Sequence, residues 1–365
     1  MELHPAAAEQ NNSVEIAAKH NSNEAQAAEQ LKSCCGNTSD EAQNEHLEIS
    51  ILYEDADSIR NYVHEHYDEM ISASSIGVSI SWHYKRTSRF ARYEDVDIDI
   101  SALWADVNIG EKIDELHIFY DGYSVFDIGQ IKNLPNLRTL EIEEIEEIEE
   151  TAPVNFSSFE YCGKKLRKLV LHCFINEEVI HSISNITSLR HLDLGQGSRS
   201  EIRDISPLGN LKNLRTLVIG GTLRELSPIA RLENLEELTI FSDVLSDISV
   251  LGELKGLRKL EIYGAAYIDL EALENLTNSM QRLRVQAGYI ANIDSLTLLV
   301  NLKHLELRAD NIKDIRPLRN LKRVRYLEVS KNFWTSLQVK RIAKELDLRV
   351  RTYSSFYIIG YDEEF

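Results

Sequence analysis

The stretch from Leu302 to Leu327 constrains the fold more than any other part of the chain. Its apolar residues, Leu302, Leu305, Leu307, Ile312, Ile315, Leu318, Leu321, Val324 and Leu327, come at a step of two through Leu305-Glu306-Leu307 and mostly at steps of three afterwards. A step of two belongs to a strand, where alternate side chains share a face, and steps of three suit a tight 3₁₀-like turn. The Leu-x-Leu unit then begins again 22 residues after Leu305. One strand and one turn cannot bury their apolar sides alone, but stacked copies can.

The same core recurs at Leu283/Val285, Leu260/Ile262, Leu238/Ile240, Leu217/Ile219, Leu192/Leu194, Leu169/Leu171 and Leu140/Ile142, with a weaker copy at Leu116/Ile118. Leu327/Val329 continues it and Leu348/Val350 is placed to close it. Successive first leucines from Leu116 to Leu327 lie 24, 29, 23, 25, 21, 22, 23, 22 and 22 residues apart, so insertions belong near the start of the stack. A fixed period in this range, built on L-x-x-L-x-L, is a solenoid signature.

Asp204-Ile205-Ser206-Pro207-Leu208, Asp314-Ile315-Arg316-Pro317-Leu318 and the looser Asp247-Ile248-Ser249-Val250-Leu251 each precede Leu-x-x-Leu or Leu-x-x-Val. In these residues the chain resembles the leucine-rich-repeat superfamily, specifically the 22-residue class found in bacterial internalins and phosphatase regulatory subunits. The resemblance implies an α/β fold: a curved solenoid with a parallel concave β-sheet, a short 3₁₀ or irregular convex side and a small α/β N-terminal cap. One departure stands out. The Asn that ends each strand in the family survives clearly only as Asn332, so the turns must satisfy their backbone groups by other means.

Four regions follow. Residues 1–45 are rich in Ala, Glu, Gln, Asn and Ser, and cannot bury enough apolar surface to offset their ordering entropy. They read as a disordered tail or, alternatively, as the leader of an injected effector. Residues 46–112 lack the repeat and read as an α/β cap or small N-terminal domain. Leu47 to Tyr53 and Ile76 to Tyr84 alternate as strands, as do Val96, Ile98 and Ile100, and Asp55 to Ile71 has helical spacing. Residues 113–335 hold the repeats, and 336–365 a cap helix, a last strand and an acidic-aromatic tail.

The 365 residues carry a net charge of −19, which opposes nucleic-acid binding because phosphates need a basic stripe. No apolar run is long enough to span a membrane, and Met1 to Gln30 lacks the charged start and apolar core of a secretory signal. Cys34, Cys35, Cys162 and Cys173 form neither a disulfide framework nor a metal-ligand spacing. A cytoplasmic monomer is expected, with export by a signal-peptide-independent route as the alternative. His64 and His66, two apart on a helix, point away from each other. There is no phosphate loop, no G-x-S-x-G elbow and no H-E-x-x-H, so neither enzyme chemistry nor a metal or cofactor is expected, save for an enzyme hidden in 46–112.

Function is then expected where packing leaves residues free, on the concave sheet between the buried leucines. In the later repeats these columns bring together Phe241, Tyr263, Arg282, Arg284, His304, Glu306, Arg308 and Tyr326. Aromatic and arginine side chains dominate interface hot spots, so this face is expected to bind a partner protein. The charges Glu261, Arg284, Glu306 and Glu328 can also simply neutralise one another. A second candidate is the run Glu141, Glu143, Glu144, Glu146, Glu147, Glu149 and Glu150, seven glutamates in ten residues. It reads as a solvated edge, or as a docking patch through which a regulatory or neutralising subunit masks a basic enzyme or toxin.

Overall fold

The computed structural model describes residues 46–53, 56–82, 99–120, 128–144, 165–195, 202–352 and 356–360. The strands are β1 (His46–Tyr53), β2 (Ser75–Trp82), β3 (Ile113–Tyr120), β4 (Thr139–Glu144), β5 (Lys168–His172), β6 (His191–Asp193) and β7 (Thr216–Gly220). They continue through β8 (Glu237–Phe241), β9 (Lys259–Asp269), β10 (Arg282–Ala291), β11 (His304–Arg308), β12 (Tyr326–Ser330), β13 (Arg349–Thr352) and β14 (Phe356–Gly360). All fourteen form one sheet, in chain order from β1 to β12 and then β14 and β13. Pairing is parallel through β12.

The alternating leucines set the register. Leu116, Leu140, Leu169, Leu192, Leu217, Leu238, Leu260, Leu283, Leu305 and Leu327 stand opposite one another on successive strands, and all are fully buried. A slip of one residue would expose the whole file, which is why the pattern specifies pairing so firmly. On the opposite side each strand returns through a short 3₁₀ turn, such as Ser206–Asn210, Ser227–Arg231, Ser249–Glu253 and Arg316–Asn320. The aspartates of the D-I-x-P-L element start these turns. Asp204, Asp247 and Asp314 accept the backbone N–H two residues on, at 2.8, 2.8 and 2.9 Å, while the following isoleucines are buried.

The strand-ending Asn is indeed missing from most repeats, yet a related ladder exists elsewhere. Four residues before the first strand leucine, Asn136, Asn213, Asn234 and Asn301 each donate an amide N–H to a carbonyl of the preceding turn, at 2.5 to 2.9 Å. Ser188 does the same to Leu166 O at 2.6 Å. The side-chain ladder has moved from the strand's exit to its entrance. Asn311 adds a single exit rung, bonding both the N–H and the C=O of Ile290.

Residues 46–82 join the same sheet, with Ile49 and Ile51 of β1 opposite Val78 and Ile80 of β2, and Val78 and Ile80 opposite Leu116 and Ile118. Their return path is helical: Ala56–Glu65 and Tyr67–Ser72 stand where one continuous helix was expected. The break falls at His66, whose ring stacks on Tyr62 at 4.1 Å. Val96 and Ile98 lie outside the described residues, and Ile100, expected in a strand, is buried at the start of the 3₁₀ turn Ser101–Trp104.

At the other end the helix Phe333–Leu346 is one turn longer than its spacing implied, because Asn332 caps it reciprocally with Thr335 and also donates to Ile312 O. Leu348 and Val350 do not extend the parallel stack directly. β14 lies between β12 and β13, antiparallel to both. A chain returning from β13 by a short connection can pair only antiparallel, so the tail expected to be acidic and aromatic contributes the strand that meets the last repeat.

Candidate functional site

The concave columns are assembled by register alone. Phe241 of β8 stands opposite Tyr263 of β9, and their rings stack with centroids 4.8 Å and planes 10° apart. Arg284 of β10 donates to Tyr263 Oη at 2.8 Å and to Glu306 Oε1 of β11 at 2.5 Å, with its guanidinium 5.9 Å from the Tyr263 ring centroid. The His304 ring stacks on Tyr326 of β12 at 4.1 Å, and its Nε2 lies 2.8 Å from Glu306 Oε1. Tyr326 donates to Glu328 at 3.0 Å, and Arg308 donates to the same carboxylate at 2.5 Å. These contacts form one continuous chain of side chains across five strands.

Its electrostatics close internally. Glu306 and Glu328 are only 1% and 2% exposed, and each has an arginine over it. Burial pushes the Glu306 carboxyl upward, but hydrogen bonds from His304 and Arg284 outweigh it and hold the pKa at about 2. Burial, reinforced by the Glu328 carboxylate, drives the Tyr326 phenol well above its ordinary range. Arg284 Nε and Glu306 Oε2 are the donor and acceptor that the Arg284–Glu306 pair leaves unused. Arg284 and Arg308 are therefore committed to carboxylates of the sheet, whereas Arg282 is exposed at the rim. Phe241 and Tyr263 are half-buried. A face held this way loses little side-chain freedom on contact with a partner.

Of the acidic run, Glu141, Glu143 and Glu144 belong to β4, while Glu146, Glu147, Glu149 and Glu150 lie outside the described residues. Glu141 is already neutralised: it faces His117 Nδ1 at 2.8 Å and Lys168 Nζ at 2.5 Å, and the His117 hydrogen bond leads the effects that hold its pKa at about 2. The same hydrogen bond raises the His117 pKa. Glu143 lies 3.6 Å from His172 Nδ1, whose Nε2 meets Asp193 at 3.2 Å. The described part of the run is thus woven into the sheet and is not a bare anionic patch.

Sequence reasoning missed a second aromatic pair. β9 and β10 run 11 and 10 residues where the strands from β7 on are otherwise 5, and they continue past a bend at Gly264, whose φ of +85° favours glycine. On this extension Tyr267 and Tyr289 stack at 5.6 Å and are 41% and 49% exposed. The signal in the sequence was the small-residue runs Gly264-Ala265-Ala266 and Ala287-Gly288 just before each tyrosine. Among the described residues no three His, Cys, Asp or Glu side chains are grouped to hold a metal, and no helix is long and apolar enough to cross a membrane.

Stacked parallel strands, a leucine file in register and 3₁₀ returns define a leucine-rich-repeat solenoid. No family model matches the sequence, and no curated protein matches it. Solved structures do. An internalin (inlF) of Listeria monocytogenes aligns at 25% identity over 70% of this chain and 67% of its own, with a TM-score of 0.48. A leucine-rich-repeat protein of Leptospira interrogans aligns at 16% identity, covering 73% and 74% of the two chains, with a TM-score of 0.43. The ectodomain of the Arabidopsis receptor kinase HAESA, solved with a peptide hormone, aligns at 21% identity over 72% of this chain and 42% of its own, with a TM-score of 0.45.

Proposed function

We propose that the chain is a protein-binding module that recognises its partner, without turnover, on the concave face of β8 to β12. The observation that carries this reading is the Phe241–Tyr263 stack. The charges beside it are explained by their mutual neutralisation, but two adjacent half-buried rings on a water-facing sheet contribute nothing to the repeat core. Desolvating such rings against a partner contributes roughly 2 kcal/mol or more each at an interface centre. The neighbouring Arg284–Glu306 and Arg308–Glu328 pairs fix the floor of the surface and present the His304–Tyr326 stack as its far wall.

The test is affinity capture from native lysate with wild type and with Phe241→Ala/Tyr263→Ala, checked for folding by circular dichroism. A partner held by wild type and released by the folded double variant supports the reading. An unchanged set of partners overturns it and returns attention to the neutralising-subunit alternative on the acidic run, for which release by salt is the diagnostic.

A further inference from the structure

Two residues before each strand leucine, the backbone forms a ladder of its own. The N–H of Arg167 donates to Arg138 O, Arg190 to Arg167 O, and Arg215 to Arg190 O, at 2.7, 2.8 and 2.8 Å. The column starts with Asp114, whose C=O receives the Arg138 N–H, and after Arg215 it continues with Glu236. Four arginines therefore stand on four successive strands, all exposed, at the edge where the chain enters the sheet. Adjacent strands lie about 4.8 Å apart, so the row is single file and about 14 Å long.

This row is not required by the fold. Asp114, Glu236 and Gln281 make the same backbone contacts at the same position. Nor is it neutralised: among the described residues no carboxylate lies within 4.0 Å of the side-chain nitrogens of Arg138, Arg167 or Arg190, whereas Arg215 and Arg258 share Glu236 at 3.2 and 3.5 Å. Lys165, also exposed, adds a fifth cation beside Arg167. A file of unpaired like charges at this spacing repels itself, and it is more conspicuous in a chain of net charge −19.

We propose that this rim is a second binding site, separate from the aromatic concave face, and that it takes a short extended acidic segment of a partner protein. Guanidinium forks suit carboxylates, and about 14 Å corresponds to four or five extended residues. The bounds of the row favour a short segment over a long polyanion. A nucleic-acid backbone continuing in either direction would run onto Asp114 or Glu236.

The probe is a fluorescein-labelled peptide with five consecutive glutamates between Gly-Ser flanks, titrated with the full chain by anisotropy at about 0.15 M salt, near physiological ionic strength. Arg138→Gln/Arg167→Gln/Arg190→Gln, with a residue the column itself carries at Gln281, is expected to weaken binding at least about tenfold. Arg203→Gln/Arg224→Gln/Arg319→Gln, an equal charge change elsewhere, and Phe241→Ala/Tyr263→Ala are each expected to leave it within about twofold. That last variant separates this proposal from the concave-face reading. Absence of binding by wild type, or equal weakening by the two arginine triples, would overturn the proposal. Tighter binding of a single-stranded oligothymidine that is lost with the rim triple would overturn it in favour of a nucleic acid.

Discussion

Arg284 and Glu306, on adjacent strands β10 and β11, form an ion pair with 2.5 Å between Nη2 and Oε1, and the carboxylate has almost no exposure to water. Removing the carboxylate leaves the guanidinium and the His304 ring without their acceptor. Because Arg284 itself is about one-third exposed, Glu306→Ala is expected to cost about 2 kcal/mol, short of a fully buried pair. Glu306→Gln, which keeps an acceptor, should cost about half as much. Urea denaturation measures both; a change below 0.5 kcal/mol in Glu306→Ala, within the scatter of ordinary surface substitutions, would show that the pair is idle.

The His117–Glu141 pair predicts a pH window. The raised pKa of His117 means that its stabilisation is complete below its ordinary value of 6.5 and is lost as pH rises through the raised one. Glu141, held at about 2 against an ordinary 4.5, contributes fully above 4.5 and loses that contribution as pH falls towards 2. The melting-temperature difference between wild type and Glu141→Gln should therefore be widest between pH 4.5 and 6.5 and narrow on both sides. A difference that is flat with pH would contradict this coupling.

The entrance ladder predicts a smaller effect. Asn301 donates to Asn278 O at 2.8 Å and accepts from Arg323. Asn301→Ala should lower stability by about 1 kcal/mol, the usual net worth of one such bond. Asn301→Asp, which cannot donate to the carbonyl, should be no better. Stability equal to wild type in both would mean that water replaces the rung at no cost.

Gly221 has a φ of +147°, and a Cβ there would lie 2.6 Å from Ile202 O. Both the conformation and the backbone contact exclude a side chain. Gly221→Ala is expected to cost about 1–3 kcal/mol, detectable as a lower urea midpoint with an unchanged slope. The same substitution at Gly256, whose nearest contact would be 3.5 Å, is the control and should be close to neutral.

Much of the fold was legible because its information is local. The ten first leucines from Leu116 to Leu327 occupy one file in the sheet, as the spacing required. Phe241 and Tyr263 were placed side by side for the same reason, since a shared register fixes neighbours across strands. β1 and β2 escaped that logic. Their helical return has a different length and lacks the turn leucines, so no period connects Ile49/Ile51 to the repeats even though the strands join the same sheet. Tyr267 and Tyr289 were missed because they lie beyond the five-residue strand, where the columns stop being comparable.

The sequence by itself determined the solenoid, the register of its strands and the membership of each concave column, because period-two burial and a constant repeat length leave only one face to hide. Tertiary structure decided which charges are spent and which remain. Arg284 and Arg308 look like free arginines in the chain but are held by Glu306 and Glu328 one strand away, while Arg138, Arg167 and Arg190 look like ordinary surface residues and stand unpaired in a row. It also decided the end of the stack, where β14 pairs antiparallel to β12. Both depend on distances between residues far apart in sequence, and these are set only when the turns have stacked.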